Sequence, residues 1–369
     1  MKILLLANHF NAGGITTCLL TLGKEYIRRG HQVYMATSGG GCVADAQKAG
    51  IVHLTVPGLG VKCECHPCLV MAVARVVRYV HDEGIDILHA HTRVTQIVAA
   101  AAGLFTGRPY VSTCHGFFKP RPLRLLLPLW GRGVIAISRS VAEHLVLDLK
   151  VARDRVVFVP NGIDPVRFNP PSLAERLKVR ECFGFEAGVP VVGTIARLSD
   201  VKGLDYLIKA MDLLRHRISG VRCLVAGEGP MEEELKSMVR ALGLETTVIF
   251  MRMTGRPEAL LPVFDVFAMP SLQEGLGLSA MEAAACGIPV VASRVGGLVE
   301  AVNDGITGFL VPARDHRALA DALERLLLDK VLAQRLGCAG RARIMAEFSA
   351  DVMAVKTLEV YGKAITAHA

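Results

Sequence analysis

Two glutamates, Glu274 and Glu282, bracket the part of the chain richest in chemistry, Ser271–Val291, which reads SLQEGLGLSAMEAAACGIPVV. Between them, Gly275-Leu276-Gly277 makes a tight loop whose two glycines let backbone amides approach a ligand. Leu278 to Cys286 is then dominated by the helix formers Ala, Met and Glu. Gly287 and Pro289 stop that helix, and Pro289-Val290-Val291 opens a buried strand. The loop thus feeds a helix N-terminus, where unpaired N–H groups and a partial positive charge form an anion site. Carboxylates beside it accept hydrogen bonds from sugar hydroxyls. The combination suits a ligand with both phosphates and hydroxyls, as a nucleotide sugar has. The alternative is an ordinary sheet helix with solvated glutamates.

Other residues extend this chemistry. Arg197 and Lys202 follow the apolar run Val189–Ile195 and precede Gly203. Two fixed cations at a strand's carboxyl end can neutralise a diphosphate leaving group; the alternative is a surface pair bonded to nearby carboxylates. His115, in Cys114-His115-Gly116-Phe117, caps the run Tyr110–Thr113. His89 and His91 stand similarly at the end of Ile85–His89. Such strand ends bind ligands in open α/β sheets, and buried structural histidines are the competing reading for all three. Gly13-Gly14 follows the first strand and precedes a helix. Cys63, Cys65, His66 and Cys68 put three thiols and an imidazole into six residues. Their spacing matches no standard zinc pattern, so a surface loop with free thiols is expected, with metal binding or redox sensitivity as the alternative.

The elements that must position these groups follow from periodicity. Strands are expected at Lys2–Ala7, His31–Thr37, Ile51–Val56, Ile85–His89, Tyr110–Thr113, Gly133–Ser138 and Arg155–Val159, with helices at Ile15–Arg29, Leu69–His81 and Arg139–Leu149. The second half repeats the alternation, with strands at Val189–Ile195, Val221–Ala226, Val248–Met251 and Val266–Met269. Helices are expected there at Leu204–Arg215, Ala259–Phe264, Ala318–Leu328, Val331–Phe348 and Asp351–Thr366. This is an α/β chain of Rossmann-like units. G-x-G-x-x-G is absent, which disfavours a dinucleotide oxidoreductase.

Length suggests two domains, and the composition is that of a soluble protein. No apolar run reaches the length of a membrane span, and MKILLLANHF is too short in apolar residues for a signal peptide. A cytoplasmic protein with reduced thiols is expected. The net charge of +8 lies wholly in Met1–Pro165, where 18 basic residues face 10 acidic ones, while Val166–Ala369 has 24 of each. A basic first half fits an anionic membrane or an acidic acceptor. Nucleic acid is disfavoured, because no helix-turn-helix, zinc finger or RNA-binding aromatic motif is present. Phe117–Trp130, FFKPRPLRLLLPLW, mixes large apolar side chains with Lys119, Arg121 and Arg124. It reads either as a segment lying on an anionic membrane surface, which the prolines argue against, or as a packed loop covering the first domain.

The E-x7-E spacing enclosing EGLG and followed by CGIPVV resembles the signature of the retaining GT-B glycosyltransferases of family 4 (glycosyl transferases group 1). Arg197-x4-Lys202-Gly203, Gly227-Glu228-Gly229-Pro230, Pro160-Asn161-Gly162-Ile163-Asp164, the strand-His115-Gly116 placement and Gly296-Gly297 are similar to the same family. The resemblance implies a GT-B fold of two Rossmann-like domains facing a central cleft. The first domain, 1–165 with a terminal helix of about 351–369 crossing back, is on the acceptor side, and the second, 166–350, binds the donor. It implies that His115 sits by the transferred sugar near the reacting carbon and that Glu274 holds sugar hydroxyls. It also implies that Glu282 grips the ribose and that Arg197, Lys202 and the backbone of Gly275, Leu276, Gly277, Leu278 and Ser279 stabilise the diphosphate, with Gly13 and Gly14 approaching donor phosphate and sugar. No D-x-D is present, which fits catalysis with no cofactor and no metal. Two departures stand out: Arg252-Met253 where the family has glycine, leaving the base open though the UDP type is favoured, and Leu276 where an aromatic is frequent.

A retaining transferase is therefore expected, moving sugar from a nucleotide-sugar donor to a saccharide or lipid-linked acceptor in cell-envelope polysaccharide or lipopolysaccharide synthesis. It would be cytoplasmic or peripheral on the inner face of the cytoplasmic membrane. The rival readings are an inactive nucleotide-sugar-binding protein and a GT-B nucleotide-sugar epimerase.

Overall fold

The computed structural model describes residues 1–61, 64, 66–252 and 255–367. The chain divides into two compact units, Met1–Gly162 with Ala350–Ala369, and Ile163–Ser349.

The first unit is built on β1 (Lys2–Leu6), β2 (Gln32–Thr37), β3 (Val52–Thr55), β4 (Ile87–Ala90), β5 (Tyr110–Cys114), β6 (Val134–Ala136) and β7 (Val156–Phe158). All are parallel, in the order β3-β2-β1-β4-β5-β6-β7. Side chains of a strand alternate between faces, so an apolar run such as KILLL is explained only if both faces are covered. They are. Ile3 and Leu5 enter a core with Leu19, Tyr26 and Met35, while Leu4 and Leu6 enter another with Val76, Val80 and Val98. The last helix, Ala350–Thr366, closes the first of these cores with Met353, Val360 and Tyr361.

The second unit holds β8 (Val191–Ile195), β9 (Arg222–Ala226), β10 (Val248–Met251), β11 (Val266–Met269), β12 (Val290–Ser293) and β13 (Gly308–Val311). These strands are also parallel, in the order β10-β9-β8-β11-β12-β13. Both sheets reverse strand order once, between β1 and β4 and between β8 and β11. In open α/β sheets the crevice outside the carboxyl ends at such a reversal is where ligands bind. The loops after these four strands carry Gly13-Gly14, His91, Arg197–Lys202 and Ser271–Gly277.

Several elements differ from expectation, the short helix Val43–Lys48 among them. A helix spans Arg93–Thr106, a strand spans Gly308–Val311, and the helix expected at Ala259–Phe264 is a short helix Pro257–Leu260 followed by a tighter turn through Leu261–Val263. Pro262 explains the last change, because its ring removes an N–H from the helical ladder. Among the described residues no helix is long and apolar enough to cross a membrane.

Candidate functional site

In the second unit, the loops after β8 and β11 are held together by backbone. The Leu272 amide donates to the Val201 carbonyl at 2.8 Å, and that of Gln273 donates to the same oxygen at 3.3 Å. Gly203 has φ 60°, and a Cβ there would meet the Pro270 carbonyl. The β11 loop is clamped from its other side by Gly296-Gly297. The Gly297 amide donates to the Glu274 carbonyl at 3.1 Å, Gly296 has φ 48°, and Cβ atoms on this pair would meet the backbone of Glu274, Gly275 and Leu276. Backbone on backbone leaves the Glu274–Gly277 loop one place to be.

This framework sets the charges. The Lys202 ammonium is ion-paired with Glu274, both side chains being four-fifths buried or more. Glu274 also accepts from Ser271 Oγ at 3.4 Å. Lys202 is therefore a fixed charge rather than a swinging one. Arg197 is different: it is exposed, and among the described residues its guanidinium makes no hydrogen bond or ion pair. A fixed cation and an exposed one on the same loop are chemically suited to an anionic ligand.

The helix Leu278–Ala285 starts at Gly277, whose φ of 92° is left-handed and whose Cβ would press on Leu298 at 2.5 Å. No side chain caps this end, so its first amides keep their hydrogen-bonding capacity. Leu276 is buried, at 1% exposure, and its backbone lies against Gly297. The frequent aromatic of the family is thus replaced by a core side chain, while the loop's amides are free to act.

Glu282 sits one turn into this helix and is buried. Burial pushes its carboxyl up to about 8; the Arg167 guanidinium opposes this and the Glu258 carboxylate adds to it. Arg167 and Glu258 are themselves paired at 2.9 Å. At neutral pH Glu282 is thus largely a neutral acid. Arg252, the departure after β10, pairs with Glu228 of the Gly-Glu-Gly-Pro loop, and both are exposed; Met253 lies outside the described residues.

In the first unit, Gly13 and Gly14 are exposed at the uncapped start of the helix Gly14–Arg28. His115 follows β5 directly and is partly exposed. Burial lowers its imidazole to about 4, so it is neutral at physiological pH. Its Nε2 lies 3.0 Å from His91 Nδ1. His89, fully buried in β4, is lowered to about 3 by burial and then by the nearby His115. Spacing alone did not single out His91 as the partner of His115; the pairing arises because β4 and β5 are neighbours.

Of the cysteine cluster, Cys63 and Cys65 lie outside the described residues; the Cys68 amide donates to His66 Nδ1 at 3.2 Å. Among the described residues no three His, Cys, Asp or Glu side chains group as metal ligands, and no disulfide joins the eight cysteines described. In the segment Phe117–Trp130, Trp130 is buried as a packed loop requires, but Phe118, Leu123, Leu125, Leu126 and Leu127 are exposed. Of its fourteen residues only Trp130 is buried; Phe117, Arg124 and Leu129 are half-buried and the other ten are exposed.

Comparison with known proteins agrees with this geometry. Residues 176–343 match the model of the family described as Glycosyl transferases group 1, and residues 12–167 match that described as Glycosyltransferase Family 4. The chain is 32% identical over 308 residues to alpha-maltose-1-phosphate synthase of Mycolicibacterium smegmatis, covering 76% of this chain and 80% of that protein. It is 34% identical over 316 residues to D-inositol 3-phosphate glycosyltransferase of Actinosynnema mirum, covering 77% and 74%. The crystal structure of Anabaena HepE in complex with UDP-glucose superposes with a TM-score of 0.85 at 25% identity, covering 98% of this chain and 100% of that one. With two parallel Rossmann-like units of GT-B type and relatives along most of its length, the chain belongs to the glycosyl transferases group 1 family.

Proposed function

We propose that this protein moves a sugar, with retention of anomeric configuration, from a UDP-sugar to a membrane-borne saccharide acceptor of cell-envelope polysaccharide or lipopolysaccharide synthesis. The observation that carries the reading is the free Arg197 beside the fixed Lys202 and the uncapped start of Leu278–Ala285, all on loops at one strand-order reversal. Such an array stabilises the charge that develops on a departing diphosphate, and it does so without a metal ion. Glu282 takes the ribose hydroxyls, Glu274 the hydroxyls of the transferred sugar, and the amides of Leu276–Ser279 the phosphates. His115 serves the sugar being transferred, and Gly13-Gly14 leaves room for it. In the transfer the acceptor oxygen bonds to the anomeric carbon on the face the diphosphate leaves. The carbon–phosphate oxygen bond breaks, and the acceptor's proton passes to the departing diphosphate.

The UDP preference draws support from the HepE complex with UDP-glucose. The membrane-borne acceptor draws support from the basic first half and from the exposed Phe118, Leu123, Leu125, Leu126 and Leu127 beside the exposed Lys119 and Arg121. Each basic residue near an anionic bilayer adds about 1 kcal/mol. The test is turnover of UDP-, GDP- and ADP-sugars in EDTA with vesicle-borne acceptor extract, with NMR of the product's anomeric proton. The reading expects UDP-sugar consumption and the donor's configuration in the product. An inverted product, or turnover only on adding a divalent cation, contradicts it.

A further inference from the structure

Three imidazoles stand in a row at the carboxyl ends of β4 and β5. His89 uses both nitrogens: Nδ1 is 2.6 Å from the Tyr361 hydroxyl and Nε2 is 2.7 Å from that of Thr113. His91 lies against it with ring centroids 4.0 Å apart and planes tilted by 39°, and is 2% exposed. His91 Nδ1 meets His115 Nε2 at 3.0 Å, and the two rings lie 27° from parallel. The other nitrogen of His91, Nε2, is buried and has no partner among the described residues.

We infer that His91 is a positioning residue which fixes the tautomer and ring angle of His115, so that His115 offers an Nδ1–H donor to the substrate. The inference rests on the reading of His115 as the group serving the transferred sugar. Its logic is proton counting. A neutral imidazole has one N–H and one lone pair on its two nitrogens. If His115 donated from Nε2, His91 Nδ1 would accept, and the His91 proton would sit on Nε2, buried with no acceptor. If His91 donates from Nδ1, only a lone pair is left without a partner. Orphaned buried donors are the rarer and costlier defect. The second arrangement therefore holds, and it leaves the His115 proton on Nδ1. His89 cannot substitute for His91, since Tyr361 and Thr113 occupy both its nitrogens. It serves instead as a packed neighbour of the His91 ring, 4.0 Å away between centroids.

The test is long-range 1H–15N correlation NMR of the histidine rings in the full-length protein at neutral pH. His115 is expected as the single Nδ1–H form. His91→Phe keeps an aromatic ring against His89 but removes the donor, and should give mixed His115 tautomers with kcat lowered about 10-fold or more at unchanged donor KM. His91→Asn, whose amide N–H replaces the donor, should restore both the tautomer and most of the rate. A native His115 in the Nε2–H form overturns the inference, as does a folded His91→Phe protein with the native tautomer and rate. If His91→Phe does not fold, the native spectrum and His91→Asn still decide. Unchanged turnover in His115→Ala would instead remove the reading on which the inference rests.

Discussion

Arg197 and Lys202 face opposite consequences of the same chemistry: one is free, the other already paired to Glu274. Replacing either by alanine should lower kcat by about 100-fold or more, the scale for losing one preorganised donor. Steady-state rates that match the native protein would remove the role. Glu282 makes a second prediction, in pH. Its carboxyl is raised to about 8 by burial, with Arg167, Glu258 and Cys286 as its charged or titratable neighbours. Above the ordinary carboxylate range the native protein keeps a proton that the unfolded chain has released. Stability on this account therefore falls as pH rises toward 8. Glu282→Gln cannot titrate, so its stability relative to the native protein should grow from about pH 5 to about pH 8. Parallel denaturation midpoints across that range would contradict the buried acid. The sequence shows Glu282 as one of a spaced pair, but not that it is buried or proton-bearing, since that depends on what packs around the helix.

The loop after β11 is held by two other loops, and this is where element-scale predictions belong. Gly296→Ala puts a Cβ against the Glu274 backbone at a left-handed residue. It should destabilise the second unit by at least about 1 kcal/mol, or roughly 2–4 °C in Tm, and weaken UDP binding together with stability. Calorimetry showing native Tm and native affinity would mean the clamp is not needed. The sequence makes most elements legible, because parallel strands buried on both faces read as plain apolar runs, as in KILLL and VVGTI. The helix Arg93–Thr106 was not legible: RVTQIVAAAAGLFT mixes β-branched residues with an alanine run and shows no polar face. The strand Gly308–Val311 was hidden because it opens on a glycine directly after the turn in which the Ile306 and Thr307 amides donate to the Asn303 carbonyl. The Lys202–Glu274 and His91–His115 pairings lay beyond sequence because strand neighbours, not sequence neighbours, create them. By contrast, the loop-to-helix start at Gly277 was readable in its residues, because only glycine takes that backbone easily.

For the whole molecule, charge and protonation are divided by unit. The excess positive charge lies in the first half, and so does the imidazole row. His89 and His115 hold neutral rings to about pH 3 and 4, while unfolded histidines protonate near 6.5. Between those values the unfolded chain binds more protons, so the first unit should lose stability as pH falls from about 6.5 to about 4. His89→Gln should flatten that acid limb in thermal melts; an undiminished slope would locate the acid sensitivity elsewhere. The central claim is that the paired Lys202, the exposed Arg197 and a helix start hold a nucleoside diphosphate unaided. Its most direct test is a thermal-shift titration of UDP in EDTA, native protein against Arg197→Ala and Lys202→Ala. The account predicts a midpoint that rises with ligand as RT ln(1 + [L]/Kd) in the native protein, and a much smaller rise in both variants. No rise in the native protein, or equal rises in all three, would contradict it.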